Sequence, residues 1–403
     1  MAVGLAAASL GGCSAPARLG SVPLHLRDRA SFAGLPAGTH IFLDGSDDQV
    51  LGHIAVDALR RELDWDRRTG ATLGDAYFLA ISGGGENGAY GAGLLTAWTE
   101  LGTRPEFKAV TGVSTGALTA PFAFLGPAYD KELERFYTTI DRNDVMVWRG
   151  LASALFRDSL YDTTPLLRMI QGVLTPEFVA AIGREYSDKG RLLMVATTNL
   201  DVPVGVLWNI GGIAASGNPR APELISRILL ASASIPGAFP PVMIDLEAGG
   251  EHFQEMHVDG GTVAQVVLYP PSLSASDLSA AGRDLLQAVR SRKRRLYAIR
   301  NSRLGADFET VDRSTLKIVG RAVSTLISNQ GIGDLYQLYM LCQRDGIDYN
   351  ATCIPDSFSE RAREPFDRGY MNRLFQVGRQ TMLDGKAWSR YPPGFNPKPL
   401  GLH

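Results

Sequence analysis

Short apolar runs alternate with stretches of helical spacing from Asp75 onward. Ala76–Ser82 (AYFLAIS) is apolar without interruption and predicts a buried strand, ended by Gly83-Gly84-Gly85. Gly88–Leu101 carries Leu94, Leu95, Trp98 and Leu101 on one helical stripe. Phe107–Thr111 predicts a second strand, and the small apolar run Ser114–Phe124 suits a buried helix. Arg191–Asn199 reads as a strand with Val204–Asn209 as its hairpin partner, and Glu223–Ser234 as a helix stopped by Pro236. His257-Val258 leads into the tight turn Asp259-Gly260-Gly261, and Arg295–Arg300 and Arg313–Asn329 predict a further strand and helix. Strands that alternate with helices predict an α/β fold, a central mostly parallel sheet flanked by helices.

No stretch between 75 and about 390 has linker composition, so one domain is expected over residues 75–390, with 391–403 as a tail. Residues 14–70 are polar, with Pro16, Pro23 and Pro36, and only Val56–Asp66 has helical spacing, through Val56, Leu59 and Leu63. The expectation is an extension over residues 13–74 that drapes over the domain.

Composition narrows the function classes. Hydrophobic residues make up 45% of the 403 and charged residues 20%, which is globular material rather than disorder. A net charge of −2 argues against a general nucleic-acid surface. No run reaches the ~20 apolar residues of a membrane span. Glycine is in excess, 44 in all, which points to turns where backbone must approach something closely. The three cysteines are too few for a disulfide framework, and no pair has metal-ligand spacing. Cys342 and Cys353 read as small buried hydrophobes, or as a pair if the protein is exported. Cys13 closes an apolar run, and Leu10-Gly11-Gly12-Cys13 resembles the lipobox of bacterial lipoproteins. That resemblance implies a signal segment over 1–12, a lipid anchor at Cys13 and a cell-envelope location. A flexible apolar tail with an incidental thiol, on a soluble or cytoplasmic protein, is the alternative.

Gly112-Val113-Ser114-Thr115-Gly116 is a G-x-S-x-G between a predicted strand and a predicted helix. In that context serine sits on a sharp turn, and the helix N-terminus behind it offers free N–H groups to developing negative charge. The alternative is a glycine-flanked turn with a serine cap. Ser82-Gly83-Gly84-Gly85-Glu86-Asn87-Gly88 also joins a strand to a helix, and its bare backbone N–H groups suit an oxyanion. It is formally G-x-G-x-x-G, the dinucleotide fingerprint, yet no acidic residue ends the next strand. A serine nucleophile needs a base. Of six histidines, only His257 lies near a turn signal, and a satisfied strand histidine is its simpler reading. Asp259, a carboxylate at a strand end before two glycines, is the better candidate, with an ordinary Asx turn as the alternative.

Together these blocks resemble the patatin-like phospholipase family. The glycine-rich block, the Ser114 block and Asp259-Gly260-Gly261 occur in its order. Ala231-Ser232-Ala233-Ser234-Ile235-Pro236-Gly237-Ala238-Phe239-Pro240-Pro241 is similar to the family's Ala-Ser-x-x-x-Pro-x-x-Phe-x-Pro segment. The resemblance spans Ala76–Thr262. It implies a three-layer patatin-like fold and lipid acyl hydrolysis by a Ser-Asp dyad, with Ser114 as nucleophile and Asp259 as base. The backbone of Gly83, Gly84, Gly85 and Thr115 would form the oxyanion hole, and Gly112, Gly116 and Gly260 would support the turns. Many members carry Arg or Lys where Asn87 stands, so neutral lipids or simpler esters gain weight over anionic phospholipids. The implied partners are a lipid or ester substrate and a membrane surface, with no nucleic acid. Nothing in these motifs asks for a cofactor or a metal. A non-catalytic lipid-binding envelope lipoprotein that keeps the fold is the rival function. Met146–Leu166, aromatic and apolar, suits core packing or an acyl channel.

Overall fold

The computed structural model describes residues 18–32, 34–35, 38–150, 158–305 and 310–398. The expected signal segment, Cys13, part of the Met146–Leu166 stretch and the end of the tail lie outside these. The strands among them are β1 (His40–Phe42), β2 (Ala76–Ile81), β3 (Ala109–Val113), β4 (Val147–Trp148), β5 (Tyr161–Asp162), β6 (Leu192–Asn199), β7 (Val204–Asn209), β8 (Val242–Ala248), β9 (Glu251–Asp259), β10 (Arg294–Arg300) and β11 (Asp348–Cys353). Nine of them form one sheet in the order β1-β7-β6-β3-β2-β10-β11, with β9 beside β6 and β8 beside β9; β4 and β5 make a separate ribbon.

β2 lies parallel to β3 on one side and to β10 on the other, as its uninterrupted apolar run requires. β6 joins parallel to β3, and β11 parallel to β10. The antiparallel part is β7 against β6, β9 against β6, and the edge strand β1 against β7.

Alternation along the strands separates two cores. Leu79, Ile81, Leu193 and Val195 face one side, against helix α2 (Gly88–Glu100, after helix α1, Asp48–Thr69) and the helix Arg368–Leu383. Ala80, Leu296 and Ala298 face the other, under Leu335, Leu338 and Leu341 of the helix Thr315–Asp345. Val113, Met194 and Ala196 face that side too, beneath Leu51 of α1. Each fully buried Leu or Ile contributes about 1.5–3 kcal/mol. The result is the expected α/β architecture, a mostly parallel sheet between helical layers.

Three differences from the sequence reading have physical causes. The expected short helix Val56–Asp66 is the middle of α1, which starts at Asp48 and stops at Gly70 in the left-handed conformation. The residues before Asp75 supply more than a covering, because His40–Phe42 adds a strand to the sheet itself. The expected helix Arg313–Asn329 starts instead at Thr315 and is the largely exposed first part of a helix that runs on to Asp345, where its buried leucines lie.

Candidate active site

The chain turns sharply after β3. Ser114 has φ 55° and ψ −124°, one of two non-glycine residues with positive φ among those described, and helix α3 (Thr115–Leu125) starts at the next residue. Only small neighbours fit this turn. A Cβ on Gly112 would run into the backbone of Gly116 and Ala117, and one on Gly116 into the Ile81 carbonyl of β2. Backbone strain of this kind costs about 1–3 kcal/mol and persists because its surroundings over-determine it.

The Ser114 hydroxyl stands close enough to the Asp259 carboxylate to pull its pKa down. Both residues are buried. Asp259 ends β9 opposite Thr197 of β6, and its Oδ1 accepts the Gly261 N–H at 2.7 Å. A side chain at Gly260 would strike the Ala196 backbone, which explains that glycine. Burial pushes the Asp259 carboxyl up to about 7, against the opposing pull of the Ser114 hydroxyl and the Gly261 N–H.

One segment braces both residues. The Ser114 N–H donates to Ser232 Oγ at 2.9 Å, and the Ser232 hydroxyl donates to the Ala196 carbonyl at 2.6 Å. Two residues on, the Ser234 carbonyl accepts the Asp259 N–H at 2.9 Å. The Ala231–Pro241 segment therefore fixes the backbones of Ser114 and Asp259 from a single helix end, a role its sequence did not disclose.

The glycine-rich block closes the other side. Gly84 has φ 154° and packs against the Asn301 carbonyl so tightly that no Cβ fits, while Gly85 has φ 56° and faces the same cleft as Ser114. The N–H groups of Gly84, Gly85 and Thr115 donate to no group among the described residues. Gly83 differs from the expectation. Its N–H donates to the Gln265 carbonyl at 3.2 Å, which removes it from the set of free donors. Asn301 anchors the loop by donating from Nδ2 to the Ser82 carbonyl at 3.0 Å and accepting the Gly91 N–H at 3.1 Å. No motif marked Asn301, which lies just beyond a strand that the pattern did show.

A narrow cleft of about 30 Å³ opens at Ser114. Leu118, Phe136, Ile140, Val145, Leu166, Met169, Ile235, Phe239, Phe366 and Met371 line it, and no Lys or Arg does so among the described residues. Leu166 brings the end of the Met146–Leu166 stretch to this cleft, whereas Met146 is buried in the core. Phe366 is the second residue with positive φ, at 58°. Burial holds the nearby Glu86 carboxyl above its ordinary range, with Asp367 adding repulsion and the Phe366 N–H opposing it. Tyr137 OH bonds Thr115 Oγ1 at 2.7 Å and Thr119 Oγ1 at 2.8 Å, pinning the first turn of α3. Asn87 Oδ1 accepts the Tyr370 hydroxyl at 2.7 Å, so this position is tied to the helix Arg368–Leu383 and carries no charge.

His257 is not brought to Ser114. It is wholly buried, with Nδ1 at 2.9 Å from Thr197 Oγ1 and Nε2 at 3.0 Å from Glu255. Burial lowers its pKa, although Glu255 opposes the effect. Cys342 and Cys353 are both free thiols, Cys342 buried and Cys353 partly so. No single helix among the described residues is long and apolar enough to cross a membrane.

Residues 79–270 match the patatin-like phospholipase family. No curated protein sequence matches the chain. Among solved structures the chain is similar to VipD from Legionella pneumophila, at 13% identity and a TM-score of 0.39, over 78% of this chain and 68% of that one. It is also similar to human GIVD cytosolic phospholipase A2, at 12% identity and a TM-score of 0.31, over 82% of this chain and 52% of that one.

Proposed function

Residues 79–270 belong to the patatin-like phospholipase family, and from that premise we propose that the chain hydrolyses lipid esters with a Ser114–Asp259 dyad. One observation supports the reading: the strained turn holds Ser114 at an apolar cleft, near enough to the buried Asp259 carboxyl to lower its pKa.

In this mechanism the acyl chain enters the cleft and the ester carbonyl comes to rest over Ser114. Asp259 takes the Ser114 proton as Oγ attacks the carbonyl carbon. A carboxylate tuned to about 7 is a far better base at neutral pH than an ordinary aspartate, while half of it is still ionised there. The carbonyl oxygen becomes an oxyanion held by the N–H groups of Gly84, Gly85 and Thr115, with α3 pointing its positive end at it. Collapse of the tetrahedral intermediate expels the alcohol, which takes the proton from Asp259, and leaves an acyl-Ser114 ester. Water then attacks that ester, Asp259 accepts a water proton and returns it to Ser114 Oγ, and the fatty acid leaves.

The apolar lining and the uncharged Asn87 favour substrates recognised by their acyl chain over anionic head groups. Anchoring at Cys13 to an envelope membrane is part of the proposal and rests on the Leu10-Gly11-Gly12-Cys13 pattern; labelled palmitate incorporation lost in Cys13→Ala is its test.

A fluorophosphonate probe tests the nucleophile. Wild type is expected to be labelled on the peptide that contains Ser114, with no labelling of Ser114→Ala. Labelling that survives in the alanine variant, or a folded wild type that turns over no ester in a panel, would remove the reading and favour a non-catalytic lipid-binding protein.

A further inference from the structure

Three metal-ligating side chains converge that the proposed hydrolysis does not use. They are His40 of β1 with Glu255 and His257 of β9. Glu255 and His257 are two apart on one strand and so project from the same face. His40 comes from β1, which pairs with β7, whereas β9 pairs with β6, so the cluster joins strands that are not neighbours in the sheet.

The donor atoms are close enough to share one ion. Glu255 Oε2 lies 3.0 Å from His257 Nε2 and 3.3 Å from His40 Nε2, and all three lie within 4.8 Å of one another. Ligand atoms at the corners of a tetrahedral zinc site stand about 3.4 Å apart, given Zn–N and Zn–O bonds near 2.1 Å.

Charge and hydrogen bonding point the same way. Glu255 is buried, and its ion-pair partners among the described residues are His40 and His257, with no Lys or Arg. His40 Nε2 is shielded from solvent and makes no hydrogen bond. A shared cation would satisfy this nitrogen and neutralise the carboxylate at once.

The surroundings are those of a ligand histidine. Thr197 Oγ1, 2.9 Å from His257 Nδ1, can accept that N–H and leave Nε2 with its lone pair free. Trp208 Nε1 donates to the same hydroxyl at 2.8 Å and fixes its position. Phe42 and Trp208 pack edge-on against the His40 ring, with centroids 4.5 and 4.9 Å away.

We propose that His40, Glu255 and His257 form a divalent transition-metal site, with zinc the fitting ion for two imidazoles and a carboxylate. The site clips the edge strand β1 to β9, and β9 carries Asp259 two residues beyond His257. Its role is to hold these strands together, apart from ester chemistry.

The test uses the full chain without a polyhistidine tag, stripped by chelator and titrated with Zn²⁺ alone. Elemental analysis is expected to find one zinc per chain, with a dissociation constant below about 1 μM. The unfolding midpoint should climb with free Zn²⁺. Ser114→Ala should bind zinc like wild type, while His40→Ala and Glu255→Gln should each bind at least about 100-fold more weakly. Should Glu255→Gln fail to fold, His40→Ala still decides, since His40 is partly exposed on a three-residue edge strand. A wild type that takes up no stoichiometric zinc, or a His40→Ala variant that binds as tightly as wild type, overturns the proposal.

Discussion

The Ser232 hydroxyl accepts the Ser114 N–H at 2.9 Å and donates a hydrogen bond to the Ala196 carbonyl, so a helix-end serine holds the strained turn in place. Ser232→Ala leaves that buried N–H and carbonyl unpaired, at a cost of about 1–3 kcal/mol. Urea denaturation should show this loss, and the rate of fluorophosphonate labelling should fall as the Ser114 turn relaxes. An unchanged labelling rate would mean that the turn does not depend on Ser232.

The proposed role of Asp259 as the base carries a defined pH response. Its carboxyl is raised from 3.8 to about 7 by burial, so kcat/KM should rise with pH through about 7 as the base ionises. Stability runs the opposite way. Between 3.8 and about 7 the folded protein keeps a proton that the unfolded chain has released, so this group's contribution to stability falls as pH rises across that window. Asp259→Asn should abolish ester hydrolysis and gain stability relative to wild type by up to a few kcal/mol above pH ~7, with little gain near pH ~4. Paired denaturation curves at the two pH values measure the difference.

His257, buried against Glu255 and Thr197, should not be required for the acyl-transfer step. His257→Gln is expected to be less stable than wild type and to keep most of its ester hydrolysis per folded molecule. Loss of activity in a protein that circular dichroism shows to be folded would point to a histidine-based mechanism.

Relief of strain should separate stability from function. Glycine tolerates the φ of 55° at position 114, so Ser114→Gly should unfold at a higher temperature than Ser114→Ala, by the equivalent of about 1 kcal/mol. Neither variant should hydrolyse esters. Gly84→Ala should do the reverse of relief, because the new methyl meets the Asn301 carbonyl, displaces the oxyanion N–H groups and lowers kcat by about 10² or more.

Cleft depth should set chain length. Met169 lines the cleft from the helix Thr164–Val173, where a larger ring would fill space that an acyl chain needs. Met169→Trp is expected to shift preference toward short chains by about tenfold or more in kcat/KM across a nitrophenyl ester series. A profile identical to wild type would mean that the acyl chain binds elsewhere.

The α/β architecture and the candidate dyad were legible in the sequence because their requirements are local. An apolar run such as Ala76–Ile81 can only be a covered central strand, and glycine at positions 112 and 116 is what a serine turn demands of its immediate neighbours. Asp259 before Gly260 is local in the same way. Other features were not legible because they arise between segments far apart in the chain. The bond that ties the Gly83 N–H to Gln265, the anchoring of Ser82 by Asn301 and the relay through Ser232 depend on how strands and helix ends are stacked. The His40, Glu255 and His257 cluster is the clearest case: its residues are widely separated, and no motif spacing links the first to the other two. Residue type and near-neighbour spacing determine the turns and the strand-helix order, since backbone sterics and hydrophobic periodicity act over a few residues. Sheet register and helix packing decided the rest, since hydrogen bonds and shared ligands act across space over about 3 Å, whatever the distance along the chain.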